Sequence, residues 1–184
     1  MSKPNKYLFQ SERLGFRNWK ISDLSDLLSI NQDKEVMRFF PSLLDETQSI
    51  EFIERMQKQF EKNGFCYFVA EWLATHEFVG MIGLSEQNYE APFTPYVDIG
   101  WRLKPAFWHM GLATEGAKSC LKYGFQDIQL SKIFSVAPVI NTPSIHVMKK
   151  IGMEWQYNFD HSKLLSDNRL KSCVLYEIKK EDFR

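Results

Sequence analysis

The sequence predicts one α/β domain of the mixed α+β kind, a mixed sheet covered by helices, spanning residues 1–184. Three observations predict it. The apolar period is close to 3.6 residues early in the chain and changes to 2 from Phe65; strands and helices alternate from Tyr96 to Ile151; and no linker, repeat or low-complexity tract divides the chain. With 44% hydrophobic and 15% aromatic residues among 184, the chain can bury the core of one domain.

Residues 7–19 carry alternating and aromatic apolar positions, Leu8, Leu14 and Phe16, and read as an opening strand. Ser22 is the expected cap of a helix whose Leu24, Leu27 and Leu28 form an apolar stripe, with Asp23 and Asp26 complementing its positive end. A short helix and a loop are expected over residues 33–44. Thr47 precedes a second helix with Ile50, Ile53, Met56 and Phe60 on one face, and Gly64 falls where a left-handed C-terminal cap belongs. Two strands, residues 65–73 and 78–86, then form a hairpin. After a loop containing Pro92 and Pro95 come a strand at 96–103, a helix at 112–125, a strand at 132–137, a helix at 142–151, and strands at 153–160 and 172–179.

Charge excludes some partners. Lys+Arg and Asp+Glu balance at 23 each, so no basic field draws the chain to nucleic acid or to an anionic membrane. No apolar run is long enough to span a bilayer and the first residues lack a signal-peptide pattern, which predicts a cytoplasmic protein. Cys66, Cys120 and Cys173 are odd in number and sit among apolar neighbours; reduced packing residues, rather than a disulfide framework or a metal cluster, are expected.

The richest stretch runs from Asp98 to Ala117. A strand ends at Pro105, a loop containing Gly111 follows, and a helix opens with Ala113, Gly116 and Ala117. Such a turn can aim several backbone amides and a helix N-terminus at one point, which holds a pyrophosphate without many basic side chains. An ordinary glycine turn before an amphipathic helix has the same local signature.

Within it, Trp108-His-Met-Gly111-Leu-Ala113-Thr-Glu resembles the coenzyme A pyrophosphate loop of the GNAT acetyltransferase superfamily, in the form used by its ribosomal-protein N-acetyltransferase type. Ser11-Glu-Arg13-Leu14-Gly-Phe-Arg17, Phe78-Val-Gly80-Met-Ile-Gly83-Leu, Asp98-Ile-Gly100-Trp101 and Asn141-Thr-Pro-Ser144 resemble further segments of that type in the same order. Joint agreement of separated segments is far more specific than one glycine pattern. His109 stands where the family often has Gly, Met110 where it often has a basic or amide residue, and Met153 where Phe is usual.

The resemblance implies a mostly antiparallel sheet of about seven strands, two of them splayed for coenzyme A, with acetyl-CoA as co-substrate and no metal. It places Ile99, Gly100, Trp101 and Leu103 beside the pantetheine arm, together with Asn141 and Ser144. Around the phosphates it places Trp108, His109, Met110, Gly111, Leu112, Ala113 and Thr114. The implied acceptor is a primary amine, either a protein N-terminus or a small molecule, and a homodimer accords with the same family.

In this family type the serine of Asn-x-x-Ser is proposed to protonate or hydrogen-bond the leaving sulfur, which makes Ser144 the candidate acid, with Asn141 one turn earlier. Locally the same residues read as a helix cap, Asn141, followed by Pro143 in the first turn. An alkyl ammonium has a pKa of about 10, so a carboxylate would help to supply the neutral amine. Asp98 and Glu86, at or near strands facing the expected cleft, are the candidates. His109 and His146 lack a nucleophile to pair with, and His161, in a late loop near the acceptor entrance of relatives, is a candidate acceptor contact. The alternative is a non-catalytic acyl-coenzyme A-binding module, against which the presence of both Asn141 and Ser144 weighs.

Overall fold

A computed structural model describes residues 6–183. Eight strands form one sheet in the order β1-β2-β3-β4-β5-β6-β8-β7. They are β1 (Phe9–Gln10), β2 (Leu14–Arg17), β3 (Tyr67–Trp72), β4 (Phe78–Gln87), β5 (Tyr96–Leu103), β6 (Lys132–Pro138), β7 (Glu154–Asp160) and β8 (Ser172–Lys179). Every neighbouring pair is antiparallel except β5 and β6. The helices are α1 (Leu24–Asn31), α2 (Glu46–Asn63), α3 (Leu112–Gln126) and α4 (Thr142–Lys150). No helix among the described residues is long and apolar enough to cross a membrane.

Register decides which residues share a face. In the β4–β5 ladder Met81 lies opposite Arg102, Gly83 opposite Gly100 and Ser85 opposite Asp98, so all six belong to one face. Gln59 of α2 accepts from Ser85 Oγ at 2.9 Å, which puts α2 on that side. Ile82 and Leu84 belong to the other face, where they abut Gly116 and Gly124 of α3. A Cβ at Gly116 would collide with the Ile82 side chain. Glycine there is what brings α3 down onto the sheet.

The structure differs from the sequence expectations at the chain's beginning. The single opening strand over residues 7–19 is a hairpin, β1 and β2, because Ser11 turns the chain: its Oγ accepts from Leu14 N–H at 3.0 Å, and its N–H donates to Leu14 O at 2.8 Å. This adds the eighth strand. Ser22 does not cap α1; it sits in a 3-10 turn (Ile21–Asp23), where Asp23 accepts from Lys20 N–H at 2.8 Å. Asp45, not Thr47, caps α2, in a reciprocal box with Gln48 that leaves Thr47 inside the helix. Residues 33–44 are turns, begun by Asp33 Oδ1 accepting from the amides of Glu35 and Val36. Gly64 takes the left-handed cap, with φ of 76°.

Candidate active site

Strands β5 and β6 meet at a single registered pair, Asp98 with Phe134, and then diverge. The other edge of β5 stays bound to β4 along its whole length. Ser135 Oγ donates to Ile99 O at 2.9 Å, a tie just beyond that pair. Past it, the main-chain groups of residues 100–103 that face β6 have no strand partner among the described residues. A cleft of about 1050 Å³ opens there, lined on one side by Ile99, Gly100, Trp101 and Leu103 and on the other by Ser135, Val136 and Ala137.

At one end of the cleft lies the turn into α3. A 3-10 turn (Pro105–Phe107) is followed by Trp108, whose Nε1–H donates back to Leu103 O at 2.9 Å. His109 and Gly111 both have left-handed backbones, φ of 60° and 79°. The φ at His109 accounts for the glycine usual at this place in the resembling family, since a side chain there is strained. Gly111 heads α3 without a side-chain cap, and the first intrahelical bond runs from Glu115 N–H to Gly111 O at 3.0 Å. The amides of Leu112, Ala113 and Thr114 are therefore left without an intrahelical acceptor, at the positive end of a 15-residue helix. Glu115 holds this end in place by accepting from Ser11 Oγ at 2.6 Å and from Arg13 Nε at 2.7 Å. Trp108, His109, Gly111, Leu112, Ala113 and Thr114 all line the cleft. Met110 does not; it is exposed, and its carbonyl accepts from Arg13 Nη2 at 3.0 Å.

Asp98 is buried where the strands part, and it lines the cleft. Tyr67 Oη donates to its Oδ2 at 2.5 Å, and Gln87 Nε2 donates to Tyr67 Oη at 3.2 Å. Burial pushes the Asp98 carboxyl up to about 7, against the opposing pull of the Tyr67 hydroxyl and the Val136 amide, which favour the carboxylate. Oδ1 has no hydrogen bond of ordinary geometry among the described residues. A carboxyl in that range can take a proton and give it up near neutral pH.

Asn141 and Ser144 join the cleft from the start of α4. Asn141 Oδ1 caps the helix by accepting from Ser144 N–H at 3.3 Å. The cap engages the Ser144 amide and not its hydroxyl. Glu86 is not brought to this site: it pairs with Lys62 at 3.1 Å and accepts from Asn63 Nδ2 at 2.9 Å in a separate depression beside α2. Those hydrogen bonds hold its carboxyl below the usual carboxylate range, which suits an ion pair better than a base. His146 lines the cleft, whereas His161 stacks on Tyr89 with ring centroids 4.1 Å apart and is outside the cleft lining.

Beyond Trp101 and Trp108, the aromatic residues Phe39, Phe40, Phe65, Tyr67, Phe68 and Trp72 suit either a core or an acceptor pocket from sequence alone. The structure sends Phe65 and Phe68 to the core and Phe39, Phe40 and Tyr67 to the cleft. It also brings in Arg55 and Arg102, which no local pattern singles out because each meets the cleft only through helix packing or strand register.

The family model described as "Acetyltransferase (GNAT) domain" matches residues 13–154. The protein YkkB of Bacillus subtilis (strain 168) is 30% identical over 146 residues, which is 79% of this chain and 84% of that protein. The crystal structure of a GNAT-family acetyltransferase from Bacillus anthracis superposes with a TM-score of 0.78 at 26% identity, covering 94% of this chain and 98% of that one. The spermidine N-acetyltransferase of Vibrio cholerae, solved in complex with CoA and spermine, gives a TM-score of 0.75 at 20% identity, covering 92% and 97% of the two chains.

Proposed function

The chain belongs to the GNAT acetyltransferase family, and on that premise we propose that it transfers the acetyl group of acetyl-CoA directly to a primary amine, of a protein N-terminus or a small molecule, with both substrates bound together. The observation that carries this reading is the divergence of β5 from β6 after one pair, with the uncapped N-terminus of α3 at the end of the opening. The residues present fit the coenzyme. Free amides at 112–114 suit a pyrophosphate, and the edge of residues 100–103 turned from β4, apart from the Leu103 carbonyl held by Trp108, suits the pantetheine amides and the acetyl oxygen. When bound, the coenzyme supplies the activated acyl group. Everything else is done by the chain.

In this reading Asp98 takes a proton from the incoming ammonium, directly or through water, and Tyr67 holds it in place. Donors along β5 stabilise negative charge on the acyl oxygen, a contribution commonly of a few kcal/mol. Ser144 hydrogen-bonds the departing sulfur, while Asn141 fixes the helix turn that carries it. Ser144→Ala is expected to slow acetyl transfer by about 10²-fold, the scale of general acid catalysis, with little change in coenzyme affinity. Unchanged turnover in a steady-state assay removes Ser144 from the mechanism.

Acetyl-CoA at about 100 times its Kd stabilises a protein that binds it only when folded by about 2.7 kcal/mol, which for a chain of this size raises Tm by about 5–10 °C. A scanning-fluorimetry trace with no shift would sink the cradle. The transfer itself is tested by release of coenzyme A thiol across a panel of amines that includes peptides with free N-termini. If acetyl-CoA binds and no amine releases thiol, the chain is a binding module.

A further inference from the structure

We propose that the acceptor amine carries a carboxylate, which Arg102 and Arg55 hold on the α2 side of the cleft. This rests on the cleft being the site of amine acetylation. The charged groups lining that cleft are Glu35, Arg38, Arg55, Asp98, Arg102 and Lys150, with His109 and His146 as the titratable rings. Glu35 is taken up by Arg38, at 3.2 Å. Asp98 is engaged with Tyr67. Neither Arg55 nor Arg102 forms an ion pair among the described residues.

Arg102 shares a face of β5 with Asp98, and between them Gly100 leaves the strand without a side chain. The Tyr67 ring lies over that gap, 3.1 Å from where a Cβ at Gly100 would stand. Phe40 stacks against the Arg102 guanidinium, 4.4 Å from ring centroid to Cζ, and Asn31 Oδ1 accepts from its Nη1. These contacts hold the group in place without neutralising it. Its Nε is buried with no hydrogen-bond partner among the described residues. Burial lowers Arg102 to about 10 against the opposing influence of Tyr67, and Arg55, reaching in from α2 over Phe52, adds a second positive charge that acts in the same direction as burial. Two like charges in one cleft, one with an unmet buried donor, are costly unless the ligand brings the counter-ion. A carboxylate supplies it, and a guanidinium can grip one with two parallel bonds. A polyamine would add further positive charge beside them.

The test uses isosteric pairs that differ only in the carboxylate: alanyl-glutamate amide against alanyl-glutamine amide, and 5-aminopentanoate against 5-aminopentanamide, with spermidine alongside. Thiol release is expected to favour the acid in at least one pair by roughly tenfold in kcat/KM, the scale of one charge-assisted hydrogen bond. Preference within the peptide pair points to a peptide N-terminus, and preference confined to the second pair to a small amino acid. Arg102→Gln and the more exposed Arg55→Gln are each expected to raise KM for the acid with no change in KM for acetyl-CoA. Arg55→Gln keeps the test open if the Arg102 variant does not fold. Equal kcat/KM within both pairs, faster turnover of spermidine, or a rise confined to KM for acetyl-CoA overturns the proposal while leaving acetyl transfer standing. No turnover of any amine overturns both.

Discussion

Asp98→Asn is expected to lower kcat/KM for amine acetylation by about 10²- to 10³-fold and to abolish the acidic limb of the pH profile. With the carboxyl at about 7 in the folded protein, the base is protonated and idle below neutral pH and active above it, so wild-type activity should climb through pH 7. Tyr67→Phe provides a second reading of the same pair. The Tyr67 hydroxyl favours the carboxylate, so its loss should move the limb to higher pH rather than remove it. Stability separates catalysis from structure. Because the folded pKa lies above the ordinary 3.8, the folded protein holds this proton more tightly than the unfolded chain does. The resulting stabilisation is present below pH 3.8 and lost as pH rises through about 7. Asp98→Asn should therefore keep or raise the Tm at pH 8 while activity falls. A variant with an unchanged pH profile would exclude Asp98 as the base.

Glu71→Ala is expected to cost about 3–5 kcal/mol, the usual penalty for removing one partner of a buried ion pair, and to lower the Tm by about 10 °C. Glu71 is 4% exposed and accepts from Arg17 Nε at 2.7 Å and from Tyr7 Oη at 2.7 Å, with Lys6 also in contact. Arg17, itself buried, divides its guanidinium between Glu71 and Asp23, at 2.7 Å to each. The network ties the edge of the sheet to the turn before α1. Burial alone would raise the Glu71 carboxyl, but hydrogen bonds from Lys6, Tyr7 and Arg17 outweigh it and hold the group below its ordinary 4.5. A depressed folded value means that this stabilisation is present above pH 4.5 and lost as pH falls through the lower folded value. Urea melts at pH 7 and pH 3.5 check this: the gap between wild type and variant should narrow in acid, and a gap of less than 1 kcal/mol at pH 7 would show the network to be dispensable.

Local chemistry was legible in the residues alone. The strand at Tyr96–Leu103, the left-handed cap at Gly64, and a helix opening just after Gly111 all follow from period, breakers and small residues within a few positions of one another. The glycine turn before α3 was readable for the same reason, since the amides it leaves uncapped are consecutive in one segment. Errors arose where a distant partner settled the matter. Ser11 and Arg13 turn the first strand back on itself while docked to Glu115, more than a hundred residues away. Glu86 looked like a cleft carboxylate until α2 supplied Lys62 and Asn63.

By itself, then, the sequence determined the order and type of most elements and the turn before α3, and it offered Asp98 and Ser144 as side chains worth placing. Tertiary structure alone decided that Tyr67, 31 residues before Asp98, hydrogen-bonds it, and that Arg55 and Arg102 both line the cleft with no ion pair among the described residues. The reason is range. Helix period, capping and turn chemistry act over one or two turns of chain and leave their mark in neighbouring residues. Register and packing, by contrast, set which face a side chain occupies and how much water it loses, and those quantities exist only once the sheet has closed its ladder and the helices have covered it.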